Sequence, residues 1–137
     1  MRWFYLAVGL LLFAAFCITG RYMRLDFPDK DAISPELRIL MRSRHIYMLF
    51  NSLIWLALGT HLRRDTQPPV LALQRAGAFL LVISAGCLMY AWYAESYLIG
   101  HVSDISRWGV YTSLAGVGFH LIGGLLRARD DEPGSTE

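Results

Sequence analysis

Charge is missing from four long stretches of this 137-residue chain. Residues 3–20, 45–62, 76–94 and 108–126 hold no Asp, Glu, Lys or Arg, over 18, 18, 19 and 19 residues. A helix on a water-soluble core places a charge on its wet face every turn or two, so these are not surface helices of a soluble domain. At about 1.5 Å per residue, each stretch comes close to the ~30 Å hydrocarbon core of a bilayer. Charge imbalance is also missing. The 13 basic and 11 acidic residues give no bulk attraction for nucleic acid, which is excluded as a partner. Cysteine is scarce. Cys17 and Cys87 both lie within charge-free stretches, where free thiols act as small apolar fillers; a redox pair is the alternative reading. No nucleophile–base pair, phosphate-binding glycine loop or zinc motif occurs. Neither Glu-x-x-His nor His-x-x-x-His spacing appears, and these are the usual ligand patterns of metal sites in helical bundles. No catalytic residue and no metal ligand is assigned, and a non-enzymatic role is expected.

What is present is apolar. The hydrophobic share is 55% and the mean hydropathy is positive, as in membrane proteins. The expected fold is all-α, an integral membrane four-helix bundle forming a single domain over residues 1–137. The crossings are expected at about 3–20, 45–62, 73–95 and 108–126. A polar loop spans 21–44, and the tail 128–137 is expected to fray. Residues 3–20 also resemble a signal peptide, but Ile18-Thr19-Gly20 is a poor cleavage site and the apolar stretch is long. This stretch is read as a retained first helix. Within the loop, residues 21–31 are expected to be irregular. Ser34-Pro35-Glu36 then has the pattern of a helix start, with a capping hydroxyl, proline in the first turn and a carboxylate at the positive dipole end. A helix is expected to run unbroken from there into the second crossing.

Four crossings put both termini, and the connection around Pro68-Pro69, on one side, called side A; the 21–44 and 95–107 loops lie on side B. Side A carries six basic residues and side B seven, so the positive-inside rule does not separate them. The Arg63-Arg64 pair against a helix end favours a cytoplasmic side A, in a bacterial inner membrane. A shift of 64 residues brings Tyr47 to Tyr111, Ser52 to Gly116, Trp55 to Phe119 and Gly59 to Gly123. This suggests two parallel helix pairs. Small residues recur every seven positions at Gly109, Gly116 and Gly123, and at Gly77, Ser84 and Ala91. His45, Ser52 and Gly59 share that spacing. A seven-residue period keeps one face toward a neighbour, and small residues there let membrane helices approach closely.

Two groups of residues are candidate sites. His120 lies deep in the last stretch, on a face shared with Gly116 and Gly123. Ionisable groups at that depth face the bundle interior and mark functional sites. With His61 as a second ligand it is a candidate haem b site, though the two differ in depth by more than a turn. The second group is at side B, where His45, Glu95 and His101 stand among Arg44, Tyr47, Tyr90, Trp92, Tyr93, Arg107, Trp108 and Tyr111. Aromatics here form an interfacial belt, and the cluster is also a candidate quinone or lipid-headgroup pocket. Arg38, Arg42, Arg44, Arg107 and Gly116 are the candidate contacts for a partner. Three roles stay open: a structural, assembly or regulatory subunit of a larger membrane complex or homo-oligomer; a redox-type subunit holding haem b or quinone; and a small enzyme or transporter for a lipid-like substrate.

Overall fold

The structure is a computed structural model that describes residues 2–25, 34–61, 67–94 and 104–130. It is an all-α four-helix bundle: α1 (Arg2–Leu25), α2 (Pro35–His61), α3 (Pro68–Ala94) and α4 (Asp104–Asp130). The second helix begins where the capping pattern places it. The Leu37 N–H donates to Ser34 Oγ at 3.3 Å, and the Arg38 N–H donates to Ser34 O at 3.1 Å. The helix then runs without a break to His61.

Boundaries differ from expectation in α1, α3 and α4, the last running from Asp104 to Asp130 and so through residues 128–130 of the tail expected to fray. α1 continues through residues 21–25, which were expected to be irregular. No proline interrupts the chain before Pro28, and Arg24 in the last turn complements the negative end of the helix dipole. α3 starts at Pro68, several residues before the expected crossing, so the two prolines open the helix instead of preceding it. Proline is tolerated in a first turn because its missing N–H has no intrahelical acceptor there.

Side chains are distributed inside out relative to a soluble protein. Large apolar groups cover the outside: Trp3 is 82% exposed, Leu11 71%, Phe79 66% and Leu125 71%. The buried set includes Thr19, Arg44, Asn51, Ser52, Gln74, Ser84, Ser106, Ser113 and His120. Such an apolar coat exceeds what a soluble monomer shows and matches a hydrocarbon surround. Three helices, α1, α3 and α4, are long and apolar enough to cross a membrane. α2 falls short because it carries Glu36, Arg38, Arg42 and Arg44 in its first turns and His45, Asn51 and His61 beyond them.

The helices associate as two antiparallel pairs, α1 with α2 and α3 with α4, and the pairs meet mainly through α2 and α3. Buried positions on α4 are Ser106, Gly109, Ser113, Gly116, His120 and Gly123, alternating three and four residues apart. Both expected seven-residue stripes of small residues lie on buried faces. Within the second pair the backbones touch. A Cβ on Gly77 would lie 2.8 Å from Gly116 O, and one on Gly116 would lie 3.0 Å from Gly77 O. Within the first pair the contact is reciprocal: a Cβ on Gly9 would lie 3.0 Å from the backbone nitrogen of Leu56, and one on Gly59 3.0 Å from that of Leu6. The 64-residue shift that takes Gly59 to Gly123 takes Leu56 to His120. The same shift takes Leu6 to Val70, so Gly59 against Leu6 has its counterpart in Gly123 against Val70. Between the pairs the filling is bulky, a cluster of Tyr5, Leu12, Trp55 and Leu81.

These contacts predict unequal tolerance among the glycines of α4. Gly116→Leu should drive Leu81 and the α3 backbone away, lowering stability by about 1–3 kcal/mol through overpacking. Gly118, whose Cβ would meet nothing within 4 Å, should accept leucine with a change under about 0.5 kcal/mol. Thermal melts of both variants in mild detergent test this; equal shifts would mean that the seven-residue stripe does not set the packing.

Candidate functional site

The interior site forms where α1, α2 and α4 converge. His120 is buried at 6% exposure. Its Nε2 lies 3.4 Å from Tyr5 Oη, and the two rings meet edge to face at 5.7 Å. Tyr5 in turn packs on Trp55 at 5.2 Å. The Cδ2–Nε2 edge of the imidazole also fits against Gly77, where a Cβ would come within 2.9 Å of His120 Cδ2 and 3.0 Å of Nε2. A phenol that donates to Nε2 leaves the ring proton on Nδ1, which has no hydrogen-bond partner among the described residues. One turn or more toward side B, Asn51 Nδ2 donates to Ser84 Oγ at 3.0 Å. Ser84 Oγ then donates to the Gly109 carbonyl at 2.6 Å. That relay ties α2 to α3 and α3 to α4. Ser52 instead bonds within its own helix, donating to Leu49 O at 2.7 Å.

His61 does not join His120. It is exposed, and its Nδ1 lies 3.1 Å from Ala57 O on its own helix and 2.8 Å from the Thr60 hydroxyl. Among the described residues no group of three His, Cys, Asp or Glu side chains converges. Cys17 is exposed on α1 and Cys87 half-buried on α3, both as free thiols.

The second group is gathered only in part at side B. His45 is half-buried and turns toward α1, where its ring stacks on Phe16 at 4.0 Å. Its Nδ1 lies 3.1 Å from Thr19 Oγ1. The threonine hydroxyl donates back to Ala15 O at 2.9 Å, which leaves its oxygen to accept from His45. Gly20 leaves room for that ring, since a Cβ there would come within 3.1 Å of His45 Cε1. Arg44 is buried, and its Nε–H donates to Ser106 Oγ at 3.4 Å, linking α2 to the first turn of α4. Arg38 is half-buried, Arg42 exposed, and exposed Arg107 sits 3.7 Å from Asp104. Gly116 is buried against α3, not on an outer face. Glu95 and His101 lie outside the described residues.

An open cleft of about 220 Å³ lies at this end between α2 and α4, lined by Tyr47, Ser106, Arg107, Val110 and Tyr111. Of these, Tyr47, Arg107 and Tyr111 belong to the cluster read from the sequence. Ser106 and Val110 were missed, as were Tyr5, Trp55, Ser84 and Thr19 in the interior. The seven-residue spacing of Ser106, Ser113 and His120, and of Tyr5, Leu12 and Thr19, is the signal that would have found several of them. No protein-family model, curated protein or solved structure matches the chain.

The interior bonds make a measurable prediction. In a double-mutant cycle, Asn51→Ala and Ser84→Ala should be coupled by about 0.6 to 1.7 kcal/mol, the range for hydrogen bonds between membrane helices. Tyr5→Phe with His120→Leu should show weaker coupling, because 3.4 Å is long for a bond from a phenol. Reversible unfolding in mixed micelles reads both cycles, and strict additivity at Asn51 and Ser84 would remove the relay.

Proposed function

We propose that this protein is a structural, assembly or regulatory subunit of a larger membrane complex, with all four helices crossing the bilayer. The observation that carries the reading is how the polar side chains are used. Many of those facing inward hold helices to one another: Asn51 with Ser84, Ser84 with Gly109, Tyr5 with His120, Thr19 with His45 and Arg44 with Ser106. Those facing outward include arginines grouped at side B, Arg42 and Arg107 exposed and Arg38 half-buried. Charges at the rim of an interface steer and orient a partner. α2 lies between α1 and α3, and its Arg44, Asn51 and Ser52 are buried, so a modest hydropathy is compatible with a crossing. Both termini then share side A, placed on the cytoplasmic face of a bacterial inner membrane.

A redox-type subunit is the second reading, favoured by the deep imidazole of His120. On that reading haem b would sit at His120 or a quinone in the side B cleft.

Three expected outcomes separate these readings. Reporter fusions after Lys30 and Ser103 should report one side of the membrane, and a fusion after Arg64 the other; any other pattern removes the four-crossing scheme. Mild-detergent purification should recover the chain with other membrane protein subunits or with further copies of itself. Arg38→Ala with Arg42→Ala should reduce that recovery several-fold, whereas His120→Leu should not, since an apolar group of similar size leaves no unpaired polar atom of its own. A preparation from haem-replete cells should be colourless. A Soret band abolished by His120→Leu would replace the scaffold reading with the redox one.

A further inference from the structure

We infer that the cleft between α2 and α4 at side B binds the phosphate of an anionic phospholipid headgroup, with Arg107 as its cation. The inference rests on the membrane-embedded reading above. The cleft walls are Tyr47 on α2 and Ser106, Arg107, Val110 and Tyr111 on α4. Tyr47, Trp108 and Tyr111 are exposed at this level, and Trp108 meets Tyr111 edge to face at 6.5 Å. Such rings sit at the headgroup boundary of a bilayer.

Depth and charge are matched to an amphiphile. Arg107 lies at the mouth, in the first turn of α4. One turn deeper on α4 Val110 lines the cleft, and beyond the level of Tyr47 and Tyr111 Phe50 and Leu114 are half exposed. A cation above an apolar track suits a phosphate carrying an acyl chain better than a free anion.

The guanidinium is available for this role. Its contact with Asp104 is 3.7 Å long, and the two side chains are 55% and 70% exposed. A pair that is both loose and solvated holds a cation weakly. Arginine also forks onto phosphate oxygens with two parallel donors. The two tyrosine hydroxyls and Ser106 Oγ add neutral groups to the walls. Arg44, buried behind Ser106 and bonded to it at 3.4 Å, fixes the wall against which the headgroup would rest.

The test uses the full chain in detergent micelles supplied with phosphatidylglycerol, with phosphatidylcholine, or with inorganic phosphate alone. Native mass spectrometry reads the lipid retained, and a thermal melt reads stabilisation. The wild type should retain phosphatidylglycerol over phosphatidylcholine and melt higher in its presence. Arg107→Gln should lower phosphatidylglycerol retention about tenfold, the effect of losing one charged hydrogen bond. Arg21→Gln, at an exposed arginine of α1 that does not line the cleft, should leave retention unchanged. Equal retention of the two lipids, or equal losses in the two variants, would overturn the proposal. Stabilisation by inorganic phosphate matching that by phosphatidylglycerol would assign the cleft to a free anion and overturn the lipid. Because Arg107 is exposed, a melt in detergent alone should be unchanged in Arg107→Gln, which separates lost binding from lost folding. Alkaline extraction of native membranes tests the embedding separately. A chain that washes off fails the membrane reading, whereas a chain that stays but shows no preference for phosphatidylglycerol fails only this proposal.

Discussion

Backbone contact at glycine is the interaction on which the rest of this structure depends. In hydrocarbon, apolar side chains gain nothing by leaving lipid for protein, so helices associate through close packing and polar bonds. Gly77 and Gly116 bring the α3 and α4 backbones together, each with a carbonyl oxygen where the other's Cβ would stand. Gly9 and Gly59 do the same for α1 and α2, each against a backbone nitrogen. Dispersion forces fall off steeply with separation, so one methyl group at such a point displaces a whole helix. The two tight pairs follow from this, and so does the contrast with the bulky seam of Tyr5, Leu12, Trp55 and Leu81 that joins them.

The tight pairs also decide where polar groups can go. A side chain at a glycine contact has no space, so the polar residues take the alternate positions of the same seven-residue pattern. On α4 the glycines at 109, 116 and 123 alternate with Ser106, Ser113 and His120. α3 differs, since its alternate positions hold Gln74, Leu81 and Leu88 and the hydroxyl of Ser84 lies in the small-residue stripe itself. Hydrogen bonds across the seam then reach between helices that glycine has placed in register. Asn51 meets Ser84 because α2 lies against α3, and Ser84 meets the Gly109 carbonyl because glycine lets α4 approach. The same arrangement sets Tyr5 across from His120. A buried polar group left without a partner costs about 1–3 kcal/mol, so these pairings add directional specificity to packing that is otherwise non-directional.

The outside of the bundle follows a different rule. Its middle is a coat of large apolar side chains, and its side B end carries tyrosines, tryptophan and arginines. Those are the groups with chemistry to offer a partner or a headgroup. The interior stabilises the fold, and the rim at side B groups exposed arginine and aromatic side chains.

The absence of charge over 3–20, 45–62, 76–94 and 108–126 was enough to establish an all-α bundle with membrane-length helices, because period, length and charge are properties of a single helix. The start of α2 at Ser34 was equally readable, since a cap is made by residues three apart. The seven-residue stripes pointed to the packing faces for the same reason. Other features needed the tertiary structure. Which stripe meets which depends on how antiparallel helices align, and that comes from contacts between residues far apart in the chain, such as Gly77 with Gly116. His61 and His120 were candidate partners by residue type, although they differ in depth by more than a turn. Folded, one faces outward and the other inward, because helical phase and not depth decides which side chains meet. The hydroxyl of Tyr5 and the hydroxyl of Ser106 stand out in no local pattern of charge. They become part of a site only when α1 is laid beside α4 and when Arg44 of α2 reaches the first turn of α4.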